Sequence, residues 1–353
     1  MPKRLAITGP YQVEILDYED PPLGPNQVLV KTELASGKHG TTMGMLDNRT
    51  FEGQQFDQEM RLFVEDTNPD AQRRPTRESP WNLGTTGVGI VTEVGDEVSQ
   101  FKVGERVFGL MDVRETNIRP VEQLWELGEI DPYLALCVEP AYVAFHSIRE
   151  SQMRYGDSVV VVGLGALGLL AVRMARESGA ETLIAIDPLP HRRELAASYG
   201  ADYTLDPNQG DAALEVHRLT GGKGVDIAIE LSGVYPALQT AIRCVRVAGL
   251  VCSTGFYQGE SKGLWLGREW HHNRLTMIVP HGCGWGHPPR DYPLWDSQRA
   301  YDAIVSMMRK GRLSADGLIN LTLKPQDANR IFDIIREQTN EVTKYAVDFT
   351  GAG

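Results

Sequence analysis

Hydrophobic and polar positions change their rhythm part-way along the chain. Over residues 1–147 the apolar positions fall in short runs such as Gln27-Val28-Leu29-Val30-Lys31 and Val88-Gly89-Ile90-Val91-Thr92-Glu93-Val94. Turn-forming clusters such as Pro21-Pro22-Leu23-Gly24-Pro25-Asn26 separate them. Runs of strand length bounded by Gly and Pro predict a mostly β unit. Within it, residues 47–80 are crowded with Asp, Asn, Glu, Gln and Arg, including Arg61, Arg73, Arg74 and Arg77 near Pro69, Pro75 and Pro80. A polar stretch that long predicts a surface loop, either a lid over a site or plain solvated chain.

From Ser158 the rhythm alternates. The runs Ser158–Val162, Thr182–Ile186, Tyr203-Thr204, Asp226–Ile229, Leu250–Thr254 and Leu275–Val279 have strand length. Between them, helical spacing occurs at 169–176, 192–199, 211–219 and 235–245. Strands alternating with helices at this interval predict a parallel, doubly wound sheet and hence an α/β fold. Two amphipathic helices near Ser297–Arg309 and Pro325–Gln338, and a strand at Tyr345–Phe349, complete the expected elements. The C-terminal piece is expected to return to the β-rich unit, giving domains of 148–284 and of 1–147 with 285–353.

Charge and cysteine content narrow the function. Lys and Arg number 35 against 47 Asp and Glu, a net charge of −12. A negative field disfavours nucleic acid, whose binding draws on clustered cations. No apolar stretch approaches the length of a membrane span, and the start of the chain has no signal-peptide core. Cys137, Cys244, Cys252 and Cys283 form no CxxC pair, so neither a disulfide framework nor a zinc lattice is indicated, and a reducing cytoplasm is the expected setting.

The strongest chemical signal is Gly163-Leu164-Gly165-Ala166-Leu167-Gly168, between the strand Ser158–Val162 and a helix. In that context GxGxxG reads as a dinucleotide cradle. Gly163 permits the turn, Gly165 lets backbone approach a diphosphate, and Gly168 lets helix and strand pack, while the amides of Ala166 and Leu167 open the helix N-terminus. Asp187 ends the next strand 19 residues after Gly168, close to the roughly 20-residue spacing of a carboxylate that accepts from the adenosine ribose. The same charge repels a 2′-phosphate, so NAD is favoured over NADP. His191, Arg192 and Arg193 bear on that choice, since a guanidinium here stacks on adenine or meets a 2′-phosphate. Ser232 and Gly255, beyond later strands, are further candidate cofactor contacts.

With Gly87–Gly95, Val103–Gly109 and the glycine motif of 163–168 in this order, the chain resembles the medium-chain dehydrogenase/reductase superfamily over nearly its whole length. Glu139-Pro140 and the Trp270–Thr276 stretch are similar to its polyol and sugar branch. The resemblance implies a Rossmann domain beside a GroES-like catalytic domain, a cleft between them, hydride transfer between nicotinamide and a carbonyl or alcohol carbon, and a homodimer or homotetramer. Zinc-containing members carry a Cys where this chain has His39, within Gly37-Lys38-His39-Gly40-Thr41-Thr42. Their Gly-His-Glu motif is here Gly84-Thr85-Thr86, leaving Glu139. Catalytic zinc wants about three protein ligands, so a zinc-free site is expected.

Protein groups must then handle the hydroxyl proton and the charge on oxygen. The resemblance places Lys38, His39 and Thr41 at the nicotinamide end of the cleft with Glu139. His39, oriented by Glu139, is a candidate acid/base or else a packed histidine; Thr41 is a proton relay or a turn hydroxyl; Lys38 is a donor to substrate oxygen or a solvated cation. Trp81, Trp125, Trp285 and Trp295 line a sugar pocket or pack the core. His271 and His272 are adjacent and diverge, so a shared metal is disfavoured; with His281 and His287 they read as substrate contacts or a hydrogen-bonded network. The expected activity is NAD-dependent, zinc-independent oxidation of a secondary alcohol on a polyol, cyclitol or sugar-like small molecule. The alternatives are a zinc enzyme with altered ligands, a quinone or enoyl reductase, and a dinucleotide-binding protein without turnover.

Overall fold

Ser158–Val162 is a serine followed by four valines, and β-branched side chains that crowd a helix suit a sheet buried on both faces. In the computed structural model, which describes residues 1–46, 53–67, 74–280, 290–338 and 340–351, this strand pairs in parallel with Thr182–Ile186 and Val225–Glu230. Tyr203–Leu205 extends the sheet on the first side, and Val245–Ser253 and Thr276–Ile278 on the second, all parallel. The strand order is third, second, first, fourth, fifth, sixth, the two-way winding of a Rossmann sheet. Alternate valines feed opposite faces. Val159 and Val161 pack with Leu169, Leu170 and Met174 of the helix Ala166–Glu177, whereas Val160 and Val162 pack with Leu238, Ala241 and Ile242 of the helix Tyr235–Cys244.

The β-rich unit is organised on Gln27–Ser36. This strand runs antiparallel to Thr86–Val94, Thr116–Pro120 and, from far along the chain, Tyr345–Asp348. Arg106–Gly109 and Leu124–Glu126 extend one side, and Leu321–Leu323 joins Tyr345–Asp348 on the other.

Several elements differ from expectation. Residues 47–80 contain an antiparallel hairpin, Gln54–Asp57 with Leu62–Glu65, closed by an edge-on contact of Phe56 and Phe63 at 5.1 Å with Arg61 over the Phe56 ring. Two pieces of that expected loop, 47–52 and 68–73 with Arg73 and Pro69, lie outside the described residues. The unit is also less purely β than its runs suggest, because His39–Leu46, Pro132–Ala135 and Val138–Glu150 are helices. The last buries Val138, Ala141, Ala144 and Ile148, a three-and-four spacing that a search for alternation overlooks. The expected helix over Pro325–Gln338 is divided into a 3-10 segment, Pro325–Arg330, and an α-helix, Ile331–Glu337. No helix among the described residues is long and apolar enough to cross a membrane.

Candidate active site

The carboxyl ends of the parallel strands share one edge of the Rossmann sheet, and the glycine turn lies there. Gly163 follows Val162 at φ +87°, in the left-handed region, and a Cβ on it would come 2.7 Å from the backbone nitrogen of Ser232. Gly165 caps the helix Ala166–Glu177, and a Cβ on it would meet nothing within 4 Å. There is thus open space in front of the first amides of the helix, those of Ala166, Leu167 and Gly168, which have no intrahelical acceptor and favour an anion. A Cβ on Gly168 would overlap the Gly163 carbonyl, so that glycine lets the helix seat against the turn.

Asp187 stands at the tip of the neighbouring strand and is 4% exposed. Its Oδ2 accepts from the Leu164 amide at 2.8 Å and its Oδ1 from the Leu189 amide at 2.9 Å, fixing the carboxylate against the glycine turn with lone pairs left for sugar hydroxyls. Arg192 comes within 3.9 Å of Oδ2 and donates to the Val342 carbonyl at 3.3 Å; its Nε is buried with no partner among the described residues. Burial holds the Arg192 guanidinium below its usual pKa, and Asp187 opposes that. Arg193 instead donates to the Asp187 carbonyl at 2.7 Å and pairs with Asp206 at 3.4 Å, and His191 Nε2 meets Thr343 Oγ1 at 3.3 Å.

Ser232 and Gly255 are brought together by a residue that the sequence reading missed. Glu230 is fully buried at the end of Val225–Glu230. The Ser232 amide donates to its Oε1 at 2.7 Å, the Ser232 hydroxyl donates to the same oxygen, and the Tyr257 hydroxyl donates to Oε2. The Gly255 amide donates to the Glu230 carbonyl at 3.0 Å. The Ser232 hydroxyl is therefore engaged within the protein, and a Cβ on Gly255 would lie 2.5 Å from Oε2. Burial raises the pKa of Glu230, the hydroxyl and amide donors acting against it, and burial with the neighbouring carboxylate pushes Tyr257 well above the phenol range. The signal for Glu230 was the one that found Asp187, an acid closing an apolar strand.

In the β-rich unit, Lys38 lies just beyond Gln27–Ser36, and Glu139 lies in the first turn of Val138–Glu150, where a helix dipole favours an acid. They meet as an ion pair, Nζ to Oε1, at 2.5 Å. The carboxylate is the inner partner with its side chain 13% exposed, and the ammonium is the outer one at 35%. Glu139 Oε2 is buried with no partner among the described residues. Lys344, also missed, is buried behind the same loop and donates to the Gly37 carbonyl at 3.3 Å. Burial depresses its pKa, with Cys137 and Glu139 acting the other way. A lysine opening an apolar strand is a weak sequence signal for such a position. His39 and Thr41 open the helix His39–Leu46, but their side chains, and with them the expected contact of His39 with Glu139, lie outside the described residues. Thr86 Oγ1 donates to the Leu136 carbonyl at 2.8 Å, and Thr85 Oγ1 is buried with no partner among the described residues.

Other expected contacts are dispersed. Trp125 is a core residue, 5.2 Å from the Tyr301 ring, with Nε1 donating to Asp302 at 3.0 Å. Trp295 lies between the guanidinium groups of Arg149 and Arg299, 3.7 and 4.2 Å from them, and Trp81 pairs with Ile7 in a small sheet. His271 and His272 are exposed with rings 5.6 Å apart; Trp285, His281 and His287 lie outside the described residues. A cavity of about 590 Å³ beside Asp131, Tyr133, Ser314 and Asp316 touches none of the sequence-predicted site residues. Among the described residues no group of three His, Cys, Asp or Glu is placed to hold a metal ion.

Residues 24–118 match the family described as alcohol dehydrogenase GroES-like domain, and residues 166–294 the one described as zinc-binding dehydrogenase. The D-guloside 3-dehydrogenase of Escherichia coli (strain K12) is 32% identical over 325 residues, 90% of this chain and 91% of that protein. The chain belongs to the medium-chain dehydrogenase/reductase superfamily. The L-threonine 3-dehydrogenase of Pyrococcus horikoshii is 29% identical over 281 residues, covering 71% of this dehydrogenase and 74% of its relative. The structure of 2R,3R-butanediol dehydrogenase from Bacillus subtilis shares the fold, with a TM-score of 0.76 at 22% identity over 99% of both chains. The dehydrogenase is thus an NAD(P)-dependent oxidoreductase acting on CH–OH groups.

The family implies zinc, and the side chains described at the matching positions do not fit one. Thr85 and Thr86 offer neutral hydroxyls, one of them engaged by Leu136, and Glu139 already carries an ammonium on Oε1 at 2.5 Å. A dication beside that ammonium meets like-charge repulsion, and the set falls short of about three good protein ligands.

Proposed function

We propose that this protein is an NAD-dependent dehydrogenase that works without zinc on a secondary alcohol or ketone of a polyol, cyclitol or sugar-like substrate. The Lys38–Glu139 ion pair carries the reading, because it occupies the carboxylate a metal would need with a positive charge of the protein's own. The name of the 32% identical relative supports a sugar-type substrate, a D-guloside oxidised at carbon 3. Asp187 supports NAD, since a 2′-phosphate would approach a buried carboxylate that faces the glycine turn. The unpartnered Nε of Arg192 favours a 2′-phosphate instead, and comparing NADH with NADPH affinity decides between them.

In oxidation the carbinol C–H bond breaks with its electron pair, the O–H bond gives up a proton, and a C=O bond forms. NAD would supply the hydride acceptor. The amides of Ala166, Leu167 and Gly168 would hold its diphosphate and Asp187 its ribose. His39 takes the hydroxyl proton, with Thr41 as its relay. Residues 148–284 form the cofactor unit, and 1–147 with 285–353 the catalytic unit of a cytoplasmic homodimer or homotetramer.

The test is a screen of methyl D-guloside, D-sorbitol and butane-2,3-diol by NADH absorbance, with metal content measured on the same sample. Turnover at substoichiometric zinc supports the reading. Turnover that needs stoichiometric zinc, NADPH-driven reduction of an activated C=C bond, or NADH binding without turnover would each replace it.

A further inference from the structure

We propose that Lys38 is a catalytic residue whose ammonium binds the reacting oxygen, supplying the charge that a metal ion supplies in zinc-dependent relatives, and that Glu139 is the residue that positions it. The inference rests on the zinc-independent reading above.

Hydride transfer changes the charge on the substrate oxygen. In the reducing direction the carbonyl oxygen becomes alkoxide-like as the hydride arrives, and a donor already aimed at that point lowers the barrier most. Such a group needs a positive charge, a free N–H, access from solvent and a fixed position. Lys38 meets each requirement. Glu139 Oε1 takes one of the three N–H donors of the ammonium, and no other side-chain partner occurs among the described residues. The Lys38 side chain is about a third exposed while its carboxylate partner is mostly buried, so the cation forms the outer surface of the pair. Its position is set from two sides. Lys38 directly follows Gly37, whose carbonyl accepts from the buried Lys344, and Glu139 projects from the first turn of a thirteen-residue helix. The neighbouring hydroxyls are poorer candidates, since Thr86 is turned to Leu136 and Thr85 is buried.

The sequence alone ranks His39 ahead of Lys38, because a histidine titrates near neutrality. On this proposal Lys38 holds the oxygen, and the proton stays with His39 as in the function proposed above.

The test uses the full-length protein carrying Lys38→Ala, Lys38→Met or Glu139→Gln, with NADH affinity and melting temperature measured on each to establish folding. Initial rates are taken with methyl D-guloside, D-sorbitol and butane-2,3-diol at saturating NAD, with and without added ethylammonium chloride. Loss of one donor to a developing oxyanion lowers kcat by about 10²–10³-fold. Both Lys38 variants are expected to show that loss with NADH affinity within about two-fold of wild type. Ethylammonium should restore at least about ten-fold to Lys38→Ala, saturably, and leave the wild type unchanged; a merely structural lysine would not be rescued in this way. Combining Glu139→Gln with Lys38→Ala should add little to the loss of Lys38→Ala alone, because Glu139 acts through the lysine. Lys38→Ala and Lys38→Met that both keep kcat within about ten-fold of wild type, or a defect that no amine repairs, would overturn the assignment. So would wild-type activity abolished by chelation and recovered with zinc. An NADH-binding wild type that oxidises none of the three alcohols would remove the dehydrogenase reading itself, whereas an active wild type with unimpaired lysine variants removes Lys38 alone.

Discussion

Gly165 and Gly168 sit three residues apart in one motif, and alanine at each should fail in opposite ways. At 168 the added Cβ would lie 2.9 Å from the Gly163 carbonyl carbon and closer still to its oxygen. Overpacking against side chains costs about 1–3 kcal/mol, and a backbone carbonyl in a fixed turn yields less than a side chain does, so about 3 kcal/mol is expected for Gly168→Ala. An unfolding entropy of about 2.1 cal/mol/K per residue over the 148–284 stretch amounts to roughly 0.3 kcal/mol/K, which lowers its melting point by about 10 °C. At 165 the backbone φ of −67° suits any residue, and the Cβ has no neighbour within 4 Å. A weaker N-cap costs about 0.5–1 kcal/mol and a stiffer unfolded chain returns about 0.4–1 kcal/mol, so Gly165→Ala should melt within a degree or two of wild type. The methyl group nevertheless enters the open space proposed above for a diphosphate. NADH affinity should fall about ten-fold or more, equivalent to about 1.4 kcal/mol. Scanning calorimetry and NADH fluorescence titration read the two effects separately. Wild-type NADH affinity in Gly165→Ala would refute the placement of the diphosphate, and wild-type melting in Gly168→Ala would refute the packing role of that glycine.

Asp187→Ser removes the carboxylate that receives the Leu164 and Leu189 amides; NADH affinity should fall about ten-fold and the NADPH-to-NADH affinity ratio should rise, and an unmoved ratio in paired titrations would mean that Asp187 does not face the ribose. For Lys344, burial lowers the folded pKa, so between that lowered value and 10.5 the unfolded chain binds more protons and stability rises with pH; Lys344→Met should flatten that rise in denaturant titrations across the alkaline range. For Glu230 the sign reverses, because the folded pKa is raised and stability falls as pH climbs from the ordinary carboxylate value through the raised one. Glu230→Gln should remove that slope and cost about 1–3 kcal/mol by leaving a buried donor of Ser232 or Tyr257 unmatched. Cys137 is pushed up to about 11 and Cys252 to about 12 by burial, and Cys244 higher still, so iodoacetamide at pH 8 should leave all three unmodified until the chain is unfolded, as peptide mass mapping would show.

The Rossmann half of the fold was legible in the chain because its signals are local. Four valines in a row, glycines at fixed offsets and an acid at a strand tip each specify their own conformation, and Ser158–Val162 and Thr182–Ile186 have the bounds their runs predict. Val138–Glu150 was not legible, because its apolar stripe is read against a neighbourhood of strands and carries Pro140 in its first turn, which looks like a breaker yet is tolerated there. The candidate site was legible only as a set of parts. Lys38 and Glu139 lie about a hundred residues apart, and nothing local to either says that they meet; Lys344 reaches the same loop from more than three hundred residues away. Pairings of that kind belong to topology, which a one-dimensional pattern states only through resemblance.

The strand Tyr345–Asp348 hydrogen-bonds beside Gln27–Ser36, and the Ser36 hydroxyl donates to the Tyr345 carbonyl at 2.6 Å across 309 residues of chain. At a synthesis rate of about 5–20 residues per second, that partner emerges from the ribosome roughly 15–60 s after Ser36 does. Through that interval the Leu34–Ala35 end of the early strand lacks its partner, and the loop bearing Lys38 lacks the amine that fastens Gly37. During synthesis the Rossmann half can close on itself, while the half that would hold substrate must wait, exposed to mispairing and to chaperones, for its last strand.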